Sequence, residues 1–232
     1  MISWLGSLIR VRGHTISTAG LGSGAIIVDA GAHRGQFSRA LADRFGCRCI
    51  LVEANPGLAA ILSQEFDDVV PAALGPSDGT IRFFDRPNLE SGGIVQRQDH
   101  DEWSGTVVDQ ISLPSLLESF EFEKIDVLKL DIEGAELDVL ESIPDSLLRR
   151  IDQITVEFHD FIPGYATLDR IEQTRGRLEA LGFLSCVVSL RTFGDVLFVD
   201  RGRFKLSRAW PAVMTAGARL AVRAWPELDA GS

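Results

Sequence analysis

A chain of 232 residues with a net charge of −10 and a pI near 4.9 is long enough for one domain with a complete hydrophobic core. Its 45% apolar and 24% charged residues exclude wholesale disorder, and its acidity excludes functions that depend on neutralising nucleic-acid phosphates. Three cysteines without metal-site spacing (Cys47, Cys49 and Cys186) suit buried, reduced thiols in a cytoplasmic protein. No apolar run approaches the roughly 20 residues that span a bilayer.

Ile2, Leu5, Leu8 and Ile9 recur at helical spacing, which predicts a short amphipathic helix over residues 2–10. The segment is too short and interrupted for a signal peptide. Gly20, Gly22, Ser23 and Gly24 form a flexible linker, so residues 1–24 read as an N-terminal helix and its connection. Ala25 to Asp29 is a first strand ending in an acid, followed by the turn Gly31 to Gly35 and a helix over Gln36 to Phe45. A second strand, Arg48 to Glu53, also ends in an acid. Asn55-Pro56 then supplies an N-cap and a proline at the first helical position. The helix that follows should bury Leu58, Ile61, Leu62 and Phe66.

Asp67 to Ala73 is a third, shorter strand, and Ile81 to Phe84 a candidate for another. The polar stretch Pro87 to Ser104 has the character of a functional loop. Val107 to Ile111 fits an edge strand, and Pro114 opens a helix to about Phe120. Ile125 to Leu130 is a fourth core strand, with a helix facing inward through Leu137, Leu140 and Ile143. Ile151 to Phe158 is the fifth core strand. A long helix over Thr167 to Leu181 presents Leu168, Ile171, Leu178 and Leu181. Phe183 to Leu190 and Asp195 to Asp200, separated by a short turn, should form an antiparallel hairpin closing an otherwise parallel sheet. The main domain therefore covers residues 25–202. Residues 203–232 form a basic tail with tryptophans, able to lie on a membrane surface, on the domain itself or on a second subunit.

Strands alternating with helices predict an α/β, three-layer Rossmann-like fold with ligands at the carboxyl ends of the strands. The turn Asp29-Ala-Gly31-Ala32-His33-Arg-Gly35 is not a dinucleotide fingerprint, because His33 stands where the second glycine should be. It suits a smaller zwitterionic ligand, with backbone N–H groups meeting a carboxylate and Asp29 meeting an ammonium. Glu53, 22 positions after Gly31, is placed to accept hydrogen bonds from both hydroxyls of a ribose. Asp131, Glu133 and Glu136 gather at a strand end and a helix N-terminus. Asp131 is a candidate base or orienting group for a substrate hydroxyl. Lys129 alternates away from its apolar neighbours and reads as a local partner. Glu157 and His159 end the fifth strand, His159 being a candidate general base. Asp131, Glu157 and His159 could also hold a divalent cation, although nothing in the sequence requires one.

These pieces together resemble the FkbM-type family of S-adenosylmethionine-dependent methyltransferases. The resemblance is carried by Val28-Asp-Ala-Gly-Ala-His-Arg-Gly-Gln-Phe-Ser38, Val52-Glu-Ala-Asn-Pro56, Ala73-Leu-Gly75, Leu128-Lys-Leu-Asp-Ile-Glu-Gly-Ala-Glu136 and Val156-Glu-Phe-His159. It implies a class I methyltransferase sheet of order 3-2-1-4-5-7-6 with strand seven antiparallel. It also implies S-adenosyl-L-methionine as cofactor and O-methylation of a sugar or secondary-metabolite hydroxyl. Asp29, Gly31 and Gly35 would line the methionine part and Glu53 the ribose. Ala32, His33, Phe37, Ala54 and Leu74 complete the expected cofactor wall. Asp131, His159 and Glu133 are the expected catalytic group. Leu113-Pro114 departs from the family's Leu-Asp before the fourth strand. The acceptor is expected to be a small molecule, lipid or glycan and not a nucleic acid. Two other readings fit the same fold: a nucleotide-dependent oxidoreductase, which His33 disfavours, and a non-catalytic interaction domain.

Overall fold

The computed structural model describes residues 8–85, 92–93, 105–160, 166–189, 191–204 and 227–228. Its first elements correct the sequence reading. Residues 8–10 are not helical: β1 (Leu8–Val11) and β2 (His14–Ser17) pair as an antiparallel hairpin, with Val11 opposite His14. The loop between them is Arg12-Gly13, with φ of 48° and 88°; two successive left-handed residues match the right-handed twist of the flanking strands. A short apolar run cannot be told from a helical stripe by periodicity alone. Here Ile9, Val11 and Ile16 found an uncovered sheet face to pack on, and burial decided the conformation.

The chain continues through β3 (Ile26–Ala30), α1 (Gln36–Phe45), β4 (Arg48–Val52), α2 (Pro56–Leu62), β5 (Val69–Val70), β6 (Ala73–Gly75), β7 (Gly79–Asp85) and β8 (Gly92–Gly93). It then forms β9 (Gly105–Ser112), α3 (Leu113–Phe120), β10 (Ile125–Leu130), α4 (Glu136–Ser142), α5 (Asp145–Leu148) and β11 (Ile151–Val156). Last come α6 (Leu168–Ala180), β12 (Phe183–Val187), β13 (Val196–Asp200) and β14 (Glu227–Leu228). The starts of α2 and α3 follow from local chemistry. Asn55 Oδ1 accepts the N–H groups of Gly57 and Leu58, and the Ser112 side chain accepts that of Ser115.

Seven strands form the central sheet in the order β12-β13-β11-β10-β3-β4-β5, parallel except at β13, which runs antiparallel to both β11 and β12. Counted along the sheet-forming strands, this is the order 3-2-1-4-5-7-6 expected above. A second sheet, β6-β9-β7-β8, takes in the strand expected at residues 107–111, which is not an edge of the main sheet. β14 pairs in parallel with β1. The tail over residues 205–226 and most of the 87–104 loop lie outside the described residues.

Side-chain alternation along the strands separates two cores. Val28, Ala30, Ile50, Val52, Leu128, Leu130, Ile154 and Val156 pack under α3, α4 and α6. Ile27, Cys49, Leu51 and Val127 pack under α1 and the N-terminal hairpin. The hairpin face also carries a polar inlay. Gln153 exchanges hydrogen bonds with the Ser17 backbone, its Oε1 accepting the N–H at 2.8 Å and its Nε2 donating to the carbonyl at 2.9 Å. Asp195 Oδ2 accepts the Thr15 hydroxyl at 2.7 Å and Oδ1 the Thr15 N–H at 3.0 Å. These buried, satisfied groups fix where the hairpin sits. Two expected core residues are outside: Ile61 is 53% and Leu168 59% exposed.

All three cysteines are free and buried. Burial pushes the Cys49 and Cys186 thiols up to about 12 and raises Cys47 as well. At pH 8 the thiolate fraction of the first two is on the order of 10⁻⁴. Ellman's reagent should therefore titrate essentially none of the three in the folded protein and all of them in guanidinium; prompt native-state release from Cys49 or Cys186 would contradict their burial.

Among the described residues, no helix is long and apolar enough to cross a membrane.

Candidate functional site

A cavity opens at the carboxyl ends of β3, β4 and β10. Gly31, Ala32, His33, Phe37, Glu53, Ala54, Leu74, Asp131 and Glu133 all lie on its wall, as expected from the sequence. Arg12, Arg34, Asn55, Phe83 and Lys129 line it too.

Gly31 has φ of 75°, and a Cβ built on it would lie 1.8 Å from the Asp131 carbonyl oxygen. The turns after β3 and β10 touch there, and only glycine fits. Gly35 has a different task. It is not on the cavity wall; its own φ is 68°, and a Cβ would meet Leu62 and Phe66 at 2.8 Å, so it seats α1 against α2. Between them His33 adopts φ of 51°, a left-handed value that a non-glycine residue holds only when its surroundings impose it. The imposing contact is Glu53, whose Oε2 accepts the His33 N–H at 2.7 Å while its Oε1 accepts that of Asn55 at 2.8 Å. Burial raises the Glu53 carboxyl above its usual range, and the two N–H donors oppose that rise. Each oxygen keeps a lone pair for a ligand donor.

Asp29 is not on the cavity wall. It is fully buried: Oδ2 accepts the Ser38 hydroxyl at 2.7 Å and Oδ1 faces the Lys129 ammonium at 3.0 Å. The ammonium that Asp29 was expected to find in a ligand is supplied by the chain, from the residue paired with it across β3 and β10. Lys129 also donates to the Gly31 carbonyl at 2.9 Å and lies 3.7 Å from Asp131 Oδ2. Burial pulls the Lys129 ammonium down, but Asp29 and Asp131 more than offset it and leave its pKa raised. Phe37 packs its ring 5.9 Å from the Lys129 Nζ and edge-on to the His14 ring at 5.8 Å.

Asp131 is flanked on both sides. His14 Nε2, on the hairpin, lies 3.4 Å from Oδ2. His159 Nε2 lies 3.9 Å from Oδ1 and 3.5 Å from Glu133 Oε2. His159 Nδ1 is 3.0 Å from Glu136 Oε1, and Glu136 also accepts the N–H groups of Ile132 and Gly134. Burial works against the Asp131 carboxylate, yet Lys129, His14 and His159 together hold it well below the usual range. Burial likewise lowers His159, while Glu136, Glu133 and Asp131 outweigh it and bring the imidazole to about 9. Glu136, Glu133 and Asp131 thus all favour the charged form of His159. Burial first, and then the Asp131 charge, raise Glu157.

The expected cation set of Asp131, Glu157 and His159 does not close as one group. Glu157 gathers with His14 on one side of Asp131, and His159 with Glu133 on the other.

The model of the methyltransferase FkbM domain matches residues 29–185, about two thirds of the chain. This chain belongs to the FkbM methyltransferase family. Over 61 residues it is also 41% identical to the AMB antimetabolite synthetase AmbE of Pseudomonas aeruginosa; that stretch is 26% of this chain and only 3% of the relative. The crystal structure of a precorrin-6y C5,15-methyltransferase from Geobacter metallireducens aligns over 78% of this chain and 80% of that one, at 13% identity and a TM-score of 0.41. The fold assignment rests on the strand order described above.

In this FkbM methyltransferase Lys129 was read only as a local partner and His14 not at all. Lys129 carried a signal, an isolated cation inside an apolar strand, whose cross-strand partner was not resolved. His14 carried none: it lies outside the 29–185 match, in a four-residue strand without a motif.

Proposed function

We propose that the chain is an S-adenosyl-L-methionine-dependent O-methyltransferase acting on a hydroxyl of a sugar, polysaccharide, lipid or secondary metabolite. The observation that carries this reading is Glu53. A carboxylate only 6% exposed, already holding two backbone N–H groups, remains on the cavity wall at the end of β4. That position suits the two hydroxyls of a ribose. The left-handed turn at Gly31 and His33 exposes backbone beside it, and the carboxylates of Asp131 and Glu133 give the same cavity a negative wall suited to a sulfonium. These residues fit S-adenosylmethionine, which supplies the methyl group.

The chain's own contribution is then positional. Glu53 and the 31–35 turn anchor the donor, and Asp131, fixed by Lys129 and His14, orients an acceptor hydroxyl by accepting its hydrogen bond. Calorimetry with S-adenosylhomocysteine tests the reading, with saturable 1:1 binding expected. Replacing Glu53 with Gln exchanges one acceptor oxygen for a donor and should weaken that binding about 10–100-fold, the worth of one or two charge-assisted hydrogen bonds. Absence of binding at millimolar ligand, or an unchanged affinity in Glu53→Gln, would overturn it.

A further inference from the structure

Asp131, Glu133 and His159 each offer a ligand atom within 4.8 Å of the others, His159 Nε2 lying 3.9 Å from Asp131 Oδ1 and 3.5 Å from Glu133 Oε2, and the two carboxylates lie on the cavity wall. They differ from an ordinary solvated acidic cluster in two ways. The imidazole is buried, 3% exposed, and its far nitrogen is held by Glu136 at 3.0 Å. A carboxylate behind the distal nitrogen is the arrangement that orients a metal-binding histidine and fixes which nitrogen faces the ion. Glu136 is itself 1% exposed and held by two backbone N–H groups, so this backing is rigid. The opposite flank of Asp131 is also occupied. Lys129 and the buried His14 both approach Oδ2; among the described residues His14 Nδ1 has no hydrogen-bond partner, and the ring is 1% exposed. Pinned through Oδ2, Asp131 turns Oδ1 toward Glu133 and His159.

We propose that Asp131, Glu133 and His159 bind a divalent cation of the Mg²⁺/Mn²⁺ class, with open coordination positions facing the cavity. Two carboxylates and one imidazole are a mixed oxygen and nitrogen set, which inclines the site toward Mn²⁺. Three ligands leave positions for water or for acceptor oxygens. The His14 and Glu157 side is the poorer choice, because the Lys129 ammonium lies 3.7 Å from the oxygen an ion would need there. Asp131 and Glu133 share the cavity wall with Glu53 and the 31–33 turn. An ion there would grip an acceptor that carries a second oxygen beside its reacting hydroxyl, such as a vicinal diol or a hydroxy acid. That acceptor role rests on the methyltransferase reading; binding of the ion does not.

The test is Mn²⁺ titration of the metal-free full chain at pH 8, followed by the loss of the free-ion electron paramagnetic resonance signal. One saturable site is expected, with Mg²⁺ competing. Glu133→Gln, isosteric at a side chain 24% exposed, and His159→Gln should each raise the dissociation constant at least tenfold. Glu136→Gln, which touches no ion but backs His159 and the 132–134 turn, should raise it by roughly 10–100-fold. Thermal melts and S-adenosylhomocysteine calorimetry on the same preparations report folding and donor binding independently. No Mn²⁺ binding up to millimolar concentration overturns the site, whether or not S-adenosylhomocysteine binds. So does binding that survives both Glu133→Gln and His159→Gln, and so does binding abolished by Glu157→Gln but not by His159→Gln.

Discussion

Gly31→Ala should lose most of the folded protein and, in whatever remains, S-adenosylhomocysteine binding. Two costs combine. Alanine in the left-handed region at φ of 75° costs about 1–2 kcal/mol. The larger cost is steric: the new methyl would occupy a point 1.8 Å from the Asp131 carbonyl oxygen, which is backbone and cannot rotate away. Relief requires the β3 and β10 turns to part, and overpacking of this kind costs roughly 1–3 kcal/mol or more. A total of about 2–5 kcal/mol corresponds to a fall of roughly 4–20 °C in Tm for a chain of this size. Gly20→Ala is the control, since its φ is 88° but nothing lies within 4 Å of a Cβ there. It should cost only the conformational part. Equal melting temperatures for the two variants would refute the close approach of the turns.

Lys129→Met is the second large effect. Methionine nearly matches the length of the side chain but leaves Asp29, fully buried, facing a thioether where an ammonium stood at 3.0 Å. Removing one partner of a buried pair typically costs about 3–5 kcal/mol, because the surviving charge has lost both water and counter-ion. The Gly31 carbonyl loses its donor in the same change. Lys129→Met with Asp29→Asn should recover much of the loss, since the uncompensated charge is gone. Chemical denaturation of the two single variants and the double variant gives the coupling directly. Additive effects would mean that the pair contributes nothing.

The contrast between these residues shows what the sequence can carry. The helix starts at Asn55-Pro56 and Pro114 and the turn at Gly31 rest on local chemistry and were legible, whereas the order of the strands came only with the family resemblance. Gly31 and Gly35 looked alike as members of one turn. They separate only when the far ends are known, one against the Asp131 backbone and the other against Leu62 and Phe66. Asp29 was legible as a strand-end acid, but its partner is set by the register between β3 and β10, a pairing of residues 100 positions apart. The N-terminal hairpin was misread because four apolar-leaning residues satisfy either period, and the deciding fact is an uncovered patch of sheet built later in the chain. His14 reaches Asp131 only through that hairpin.

The hairpin also sets an order of events. Thr15 bonds to Asp195, and the two are 180 residues apart; Ser17 and Gln153 are 136 apart. β1 and β2 leave the ribosome before every other described strand, yet the polar partners that fix their position, Gln153 on β11 and Asp195 before β13, come much later. Loop closure over such distances adds little to the equilibrium cost but slows assembly. His14, made early, therefore reaches its final place late, and a nascent chain with its β3-α1-β4 unit already folded still lacks one flank of Asp131.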